Sequence, residues 1–502
     1  MTRPKLILGG PGCGKTTALL QIVEDALADG ASPESIAFVA FTRKAAMEAR
    51  ERMLKKFDLD KDSVPYFRTL HSFAFMHIPE DPSRLLNKKR LMEFARDSEL
   101  DLRPATYDDF GMPVVELMNV DEQAMAAYSL SRITQESIRD VCSRFSVSPR
   151  YVEHVAKVYE DHKKKKKAID FTDALVLFLE KFIIQGFKLL IVDEAQDLSP
   201  LQWRMVEVMM QHSEEVYIAG DDDQAIYEWA GADVEHFLNL DADREVLPIS
   251  YRLKSNIFDA CQKVIQYVDN RYPKNWQPHA EGGQIEQVNS LHRVDMSEGE
   301  WLLLARTNNL VQGLVRHVRS EGYPYLTMTE NGVQSSVEVD RIKAVLRFER
   351  LRRGGRVTGE EADLIWTMVR SHYKQRPKPV FDPLQTYDLD TMTKLGVNAD
   401  NDWMETMNLS ESVRSYIRAM KARGESLTET PRITVSTIHG AKGGEADNVL
   451  LWTKLTANTA KSFGRGDPNE YRALFTAMSR AKDQLVLFTN SAENYGVERM
   501  IR

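Results

Sequence analysis

Cysteine is nearly missing from these 502 residues, which hold only Cys13, Cys142 and Cys261. Three thiols so far apart supply neither a disulfide framework nor a zinc-ligand cluster, and such sparing use suits a reducing compartment. No apolar run approaches the length of a membrane span. The first residues lead straight into a glycine-rich loop, which reads as leaving no room for a signal peptide. The expected location is cytoplasmic, with no membrane partner. Internal repeats and extended low-complexity tracts are also missing. Nor is there an excess of positive charge: 66 lysines and arginines against 74 aspartates and glutamates leave a net −8, so any nucleic-acid surface must be local. Two basic stretches qualify, Lys163 to Lys167 and Arg341 to Arg356. For the lysine run, a solvated helix face is the plainer reading.

What is present points to a globular chain of about three or four domains, because the length exceeds what one core can serve. Hydrophobic residues make up 43% and charged residues 28%, which suits a packed interior under a charged surface. The strongest local signal is Gly9-Gly10-Pro11-Gly12-Cys13-Gly14-Lys15-Thr16-Thr17, lying between the apolar run Leu6 to Leu8 and an amphipathic helix pattern. It has the form G-x-x-x-x-G-K-[ST], in which backbone N–H groups face phosphate oxygens, Lys15 reaches the terminal phosphates and the Thr16 hydroxyl holds Mg²⁺. The second signal is the apolar run Leu189 to Val192 ending in Asp193-Glu194. There Asp193 is placed to hold the metal and Glu194 to orient and polarise a water. Loop and acidic strand together predict a nucleotide-hydrolysing core using ATP and Mg²⁺.

Short apolar runs at Leu6 to Leu8, Ile36 to Ala40, Leu189 to Val192 and Val216 to Ala219 alternate with helical patterns, as in a parallel α/β sheet. A second set follows at Trp301 to Ala305, Ile433 to Thr437, Val449 to Trp452 and Leu485 to Phe488. Each set is interrupted, the first by a charge-rich helical stretch and the second by a proline-containing irregular one. Beyond Val216 to Ala219 comes Gly220-Asp221-Asp222-Asp223-Gln224-Ala225-Ile226-Tyr227-Glu228-Trp229. Gln224 lies just past a strand end, where an amide can sense a γ-phosphate, and Tyr227 and Trp229 offer faces for stacking bases.

With these motifs the chain resembles the UvrD/Rep/PcrA branch of superfamily 1 DNA helicases. The likeness also rests on Ala40-Phe41-Thr42-Arg43-Lys44-Ala45-Ala46, Thr69-Leu70-His71-Ser72-Phe73, Tyr251-Arg252 and Ala305-Arg306-Thr307-Asn308. Further matches are Thr437-Ile438-His439-Gly440-Ala441-Lys442-Gly443 and Phe475-Thr476-Ala477-Met478-Ser479-Arg480-Ala481. The resemblance implies that Arg252 and Arg480 reach the γ-phosphate, Tyr251 stacks on adenine and Glu445 lies near the ribose. It also implies that Phe41, Thr42, His71, Tyr227, Trp229, Thr437 and His439 line a single-strand channel. Relatives carry a glutamine ahead of the phosphate loop that reads adenine. Eight residues precede Gly9 here and none is glutamine, so loose base selection is expected. Where relatives have Trp-Arg-Gly-Ala, this chain has Trp229-Ala230-Gly231-Ala232, which removes a cation from the DNA contact.

The fold implied is a pair of RecA-like parallel-sheet motor lobes. The first spans residues 1–72 and 168–250, with a helical insertion at 73–167. The second spans 251–352 and 431–502, with a reduced insertion at 353–430. The implied activity is ATP-dependent 3′-to-5′ translocation on single-stranded DNA, with hydrolysis in the inter-lobe cleft driving separation of 3′-tailed duplexes. Two alternatives stand beside it: a translocase that displaces proteins without unwinding, and a nucleotide-dependent DNA-binding recruitment module.

Overall fold

In the computed structural model, residues 3–501 are described except 42, 79–80, 103–118, 182–185, 330–331, 338 and 399–400. Packing divides the chain into two compact units. One comprises Met1–Ile285, Leu455–Leu485 and Tyr495–Arg502, the other Glu286–Lys454 and Val486–Asn494.

The first unit is built on strands β1 (Lys5–Leu8), β2 (Ile36–Ala40), β3 (Phe67–Thr69), β4 (Phe187–Asp193), β5 (Ser213–Gly220) and β6 (Asp243–Val246). They form one parallel sheet in the order β3-β2-β4-β5-β1-β6. Alternate residues serve opposite faces, as the period of two requires. Leu6, Leu8, Ala37, Val39, Leu190 and Val192 join one core, whereas Ile7, Ile36, Phe38, Ala40, Leu189 and Ile191 join another. A sheet buried on both faces explains why β2 is apolar throughout rather than alternating.

Between β3 and β4 run the helices Leu70–His77, Lys88–Asp97, Val120–Thr134, Ile138–Cys142, Pro149–Lys166 and Phe171–Lys181. Phe94, Leu130, Val155 and Phe178 from this stretch share the sheet's first core, so the insertion is part of the same packed body. Local caps fix its helix starts: Asn119 and Glu122 form a reciprocal capping box, and Ser148 caps a helix with Pro149 in its first turn.

The structure corrects the reading of the lysine run. Lys163 points inward, 3% exposed, with its amine 2.9 Å from Asp170 and 2.8 Å from Asp173. Burial opposes ionisation of Asp170, but Arg132 and Lys163 hold its carboxyl down at about 2. Lys164, Lys165 and Lys166 face solvent.

Strands β7 (Ile249–Lys254) and β8 (Gln277–Ala280) pair in parallel within the first unit. The division expected between residues 250 and 251 is therefore not where packing falls. Residues 251–285 and Leu455–Leu485 belong with the first sheet.

The second unit holds most of a seven-stranded sheet made of β9 (Gln284–Val288), β10 (Trp301–Ala305), β11 (Tyr325–Thr329), β12 (Gly332–Ser335), β15 (Ile433–Thr437), β16 (Ala446–Trp452) and β17 (Ala481–Phe488). The short strands β13 (Val357–Thr358) and β14 (Thr386–Tyr387) pair apart from it. The order is β12-β11-β15-β10-β16-β17-β9, with β11, β15, β10 and β16 parallel. Leu303, Val435 and Leu450 pack in one core with Phe348, Trp366 and Ile417, so residues 353–430 are also joined to the sheet they interrupt. Among the described residues, no helix is long and apolar enough to cross a membrane.

Candidate nucleotide site and nucleic-acid interface

Register decides where the motifs meet. Leu8 pairs with Gly220, and Asp193 with Ala40, so the loops after β1, β2, β4 and β5 emerge at the same carboxyl edge of the sheet. The loop Gly9 to Gly14 joins β1 to the helix Lys15–Ala28, whose N-terminus presents unpaired N–H groups. Gly12 and Gly14 take φ of 74° and 79°, a left-handed conformation that favours glycine. At Gly12 a β-carbon would also stand 2.4 Å from Cβ of Arg252. Lys15 is 8% exposed and donates to the Gly9 carbonyl at 2.8 Å. Thr17 is exposed on the helix, and burial pushes the Cys13 thiol up to about 11, which makes it an inert loop residue.

Thr16 donates its hydroxyl to Asp193 at 2.8 Å. Burial, followed by the adjacent Glu194 charge, raises the Asp193 carboxyl to about 6. A hydroxyl and a carboxylate side by side form an all-oxygen donor set, which fits a hard cation such as Mg²⁺. Glu194 itself has φ of 56°, a strained setting for a non-glycine residue. Its carboxylate accepts from Gln196 Nε2 at 2.5 Å, and Gln196 Oε1 accepts from the Asp221 backbone N–H at 3.0 Å. Gln224 Nε2 donates to Asp221 at 2.6 Å, while its oxygen accepts from Arg480. One hydrogen-bonded chain thus runs Glu194, Gln196, Asp221, Gln224, Arg480. Gln196 lies two residues past Glu194, and nothing in the sequence reveals the link it makes.

Tyr251 and Arg252 are tied to the phosphate loop. Ser250 donates to the Pro11 carbonyl at 2.6 Å and the Tyr251 N–H to the Gly12 carbonyl at 2.9 Å. The Tyr251 ring is 71% exposed beside the loop, and Arg252 donates to the Ser479 carbonyl at 3.3 Å. Lys274, Arg271 and Trp276 also serve this region, and sequence reasoning does not find them. Lys274 and Arg271 neutralise Asp221 to Asp223, and Trp276 rests on Gly10.

On the same edge three aromatics run from inside to outside. Phe41 lies 5.4 Å from Tyr227, ring centre to ring centre, and Tyr227 lies 6.4 Å from Trp229. Trp229 is 42% exposed and Tyr227 half-buried, whereas Phe41 is 5% exposed and belongs to the core. The structure thus revises the expectation for Phe41: it buttresses the aromatic row and offers no open face. His71 is also buried, edge-on to Phe171 at 5.9 Å. Thr42 lies outside the described residues. Arg472 pairs with Glu228 at 3.2 Å and donates to the Asn270 carbonyl at 3.0 Å, tying the helix Pro468–Met478 to the aromatic segment.

Thr437, His439 and Glu445 belong to the second unit. Thr437 closes β15 level with Ala305, and its hydroxyl accepts from the Gly440 N–H at 3.0 Å. His439 is half-buried in the turn that follows and Glu445 is exposed before β16.

A phosphate-binding loop after β1, an acidic pair at the end of β4 and a polar sensor just past the intervening β5 define the fold of a P-loop nucleoside triphosphatase. Residues 1–245 match the UvrD/REP helicase N-terminal domain and residues 432–488 the UvrD-like helicase C-terminal domain, and the chain belongs to this helicase family. Similar proteins include ATP-dependent DNA helicase PcrA of Leuconostoc citreum, 25% identical over 385 residues, covering 73% of this chain and 50% of that protein. PcrA of Staphylococcus epidermidis is 25% identical over 387 residues, covering 69% and 51%. The chain spans about half the length of these curated relatives.

Proposed function

We propose that this chain is an ATP-dependent single-stranded DNA translocase and helicase that moves 3′ to 5′ and opens 3′-tailed duplexes. The observation that carries the reading is the meeting, on one sheet edge, of a phosphate loop, an acidic pair and two arginines with an aromatic row that reaches the surface at Trp229. The polarity rests on the resemblance in the segment Gly220 to Trp229, and the relatives' printed names support DNA as the substrate. Buried free cysteines support a cytoplasmic setting. We keep residues 1–72 with 168–250 and 251–352 with 431–502 as the proposed motor lobes, with the insertions at 73–167 and 353–430.

In this reading the loop from Gly9 to Thr17 cradles the ATP phosphates, with Lys15 moving from the Gly9 carbonyl to a phosphate oxygen. Thr16 and Asp193 hold Mg²⁺, which when bound neutralises phosphate charge. Glu194 orients the attacking water and accepts its proton. Arg252 and Arg480 neutralise charge on the leaving phosphates, and Gln224 senses the γ-phosphate. Tyr251 stacks on the adenine and Glu445 approaches the ribose. Tyr227 and Trp229 stack on bases without reading their edges, while Thr42, Thr437 and His439 contact the strand and Phe41 and His71 support it. The ion pair between Arg472 and Glu228 offers a route from bound DNA to Arg480 on the same chain segment.

Unwinding of a 3′-tailed duplex, run beside a 5′-tailed one and a streptavidin-displacement assay, tests this. Opening of the 3′-tailed substrate alone is expected. Displacement without opening would favour the protein-stripping reading, and neither activity would favour a recruitment module.

A further inference from the structure

Beyond β5 the first unit buries three consecutive carboxylates, Asp221, Asp222 and Asp223, each 0% exposed. Their charge is met by a later segment that no motif announces. Lys274 has a fully enclosed side chain, and its amine lies 3.0 Å from Asp221, 2.5 Å from Asp222 and 3.0 Å from Asp223. Arg271 grips Asp223 through Nε at 2.7 Å and Nη2 at 2.6 Å, and the Tyr272 N–H donates to Asp222 at 2.8 Å. Two residues past Lys274, the Trp276 indole seats on Gly10 of the phosphate loop.

An amide can face either way, and Gln224 is held between an acceptor on one side and a donor on the other. Its Nε2 donates to Asp221 and its oxygen receives Arg480. A carboxylate can only accept, so an ionised Asp221 locks the amide oxygen toward the guanidinium. Arg480 can only donate, so it favours the same orientation, and a protonated Asp221 would set a hydroxyl in place of a charged acceptor against the amide NH₂ and loosen its hold. Burial works against the ionised form, and Lys274, followed by Lys15, holds Asp221 below the ordinary carboxylate range.

We infer that Lys274 is a positioning residue for the γ-phosphate sensor: paired with Asp221, it holds in place the acceptor that grips the Gln224 amide nitrogen, and so steadies the amide oxygen toward Arg480. This rests on the reading of the site as one that binds and hydrolyses ATP. A merely structural lysine would neutralise buried charge and do no more, and the two roles separate by experiment. Lys274→Met alone leaves a surplus of buried negative charge and should destabilise the protein. Lys274→Met combined with Asp222→Asn removes one charge of each sign and leaves the Asp221 carboxylate that accepts from Gln224.

The test titrates wild type and variants with the γ-thio analogue of ATP and with ADP, next to melting curves and DNA-stimulated ATPase kinetics. The double variant should melt near wild type yet lose about tenfold in its preference for the triphosphate over ADP. Its kcat should fall about tenfold or more, with KM for ATP within about twofold. Lys274→Arg should restore much of the preference, Asp222→Asn alone should keep it, and Asp221→Asn should lose it. A double variant that melts, discriminates and turns over like wild type would overturn the assignment. Discrimination is read without turnover. A wild type that prefers the triphosphate but never hydrolyses it on DNA would therefore overturn the helicase reading, and the same titration would still decide the role of Lys274.

Discussion

The benzo edge of Trp276 lies so close to Gly10 that a β-carbon on the glycine would stand 2.4 Å from the ring. Gly10→Ala should therefore displace either the indole or the phosphate loop, at a cost of about 1–3 kcal/mol from overpacking. Nucleotide affinity should fall with the melting temperature, and a second change, Trp276→Leu, should recover both. Differential scanning fluorimetry and fluorescent-nucleotide titration check this, and a Gly10→Ala protein unchanged in both would show that the contact has slack.

Lys15 and Glu194 act at different stages, so their variants should fail differently. Lys15→Ala should lose nucleotide binding because the buried amine next to the loop is gone. Glu194→Gln should keep binding and lose roughly 10²–10⁴ in kcat, the usual weight of a general base. Near wild-type turnover in Glu194→Gln on single-stranded DNA would remove it from that role.

Asp193 sets a pH dependence whose sign can be worked out. Its carboxyl is raised to about 6 from an ordinary value of about 3.9, so the folded protein binds this proton more tightly than the unfolded chain. The stability it contributes is full below about pH 4 and is lost as the pH rises through 6. Mg²⁺ needs the ionised form, so the metal's affinity should instead rise through pH 6 and level off above it. Melting curves from pH 5 to 8, with and without Mg²⁺ and ADP, should show stabilisation by the ligand growing over that interval. Asp193→Asn should flatten the profile.

The aromatic row divides into a binding face and a support. Trp229→Ala should cost about 1–3 kcal/mol of single-strand affinity, without regard to base sequence, and leave DNA-independent ATPase and melting nearly unchanged. Phe41→Ala should cost about 3–5 kcal/mol of stability, because it empties a core position. With Ala230 in place of the family's arginine, the salt dependence of binding should be shallow. Fluorescence anisotropy over a salt series measures these effects, and an unaltered affinity in Trp229→Ala would assign that ring to packing.

Much of this architecture can be read along the chain. The apolar runs at Leu6, Ile36, Leu189 and Trp301 all become strands, because short β-branched and leucine-rich runs ending in glycine or acidic turns have few other uses. The phosphate loop and Asp193 are equally legible, since their chemistry depends on local spacing. What escapes is anything set by distant packing. Nothing around Lys274 signals that three aspartates await it, and Lys163 looks like its four solvent-facing neighbours until Asp170 and Asp173 fold over it. Phe41 and His71 sit in motifs whose resemblance points to DNA, but the core claims their side chains. Packing past residue 250 is hidden for the same reason: residues 251–285 pack with the first sheet, and a change of sheet along the sequence need not be a change of packed body.

The interleaving of the first unit bears on how this protein can be cut, swapped or inherited. A cassette ending at residue 250 would carry the phosphate loop and all three aspartates while leaving behind Lys274, Trp276 and Arg480. Such a fragment would expose a cluster of uncompensated acids and a half-walled nucleotide cradle, and no partner supplied separately could be expected to refill them in register. Genetic exchange at that seam is thus penalised from the outset, and a split-protein reporter joined there should stay dark.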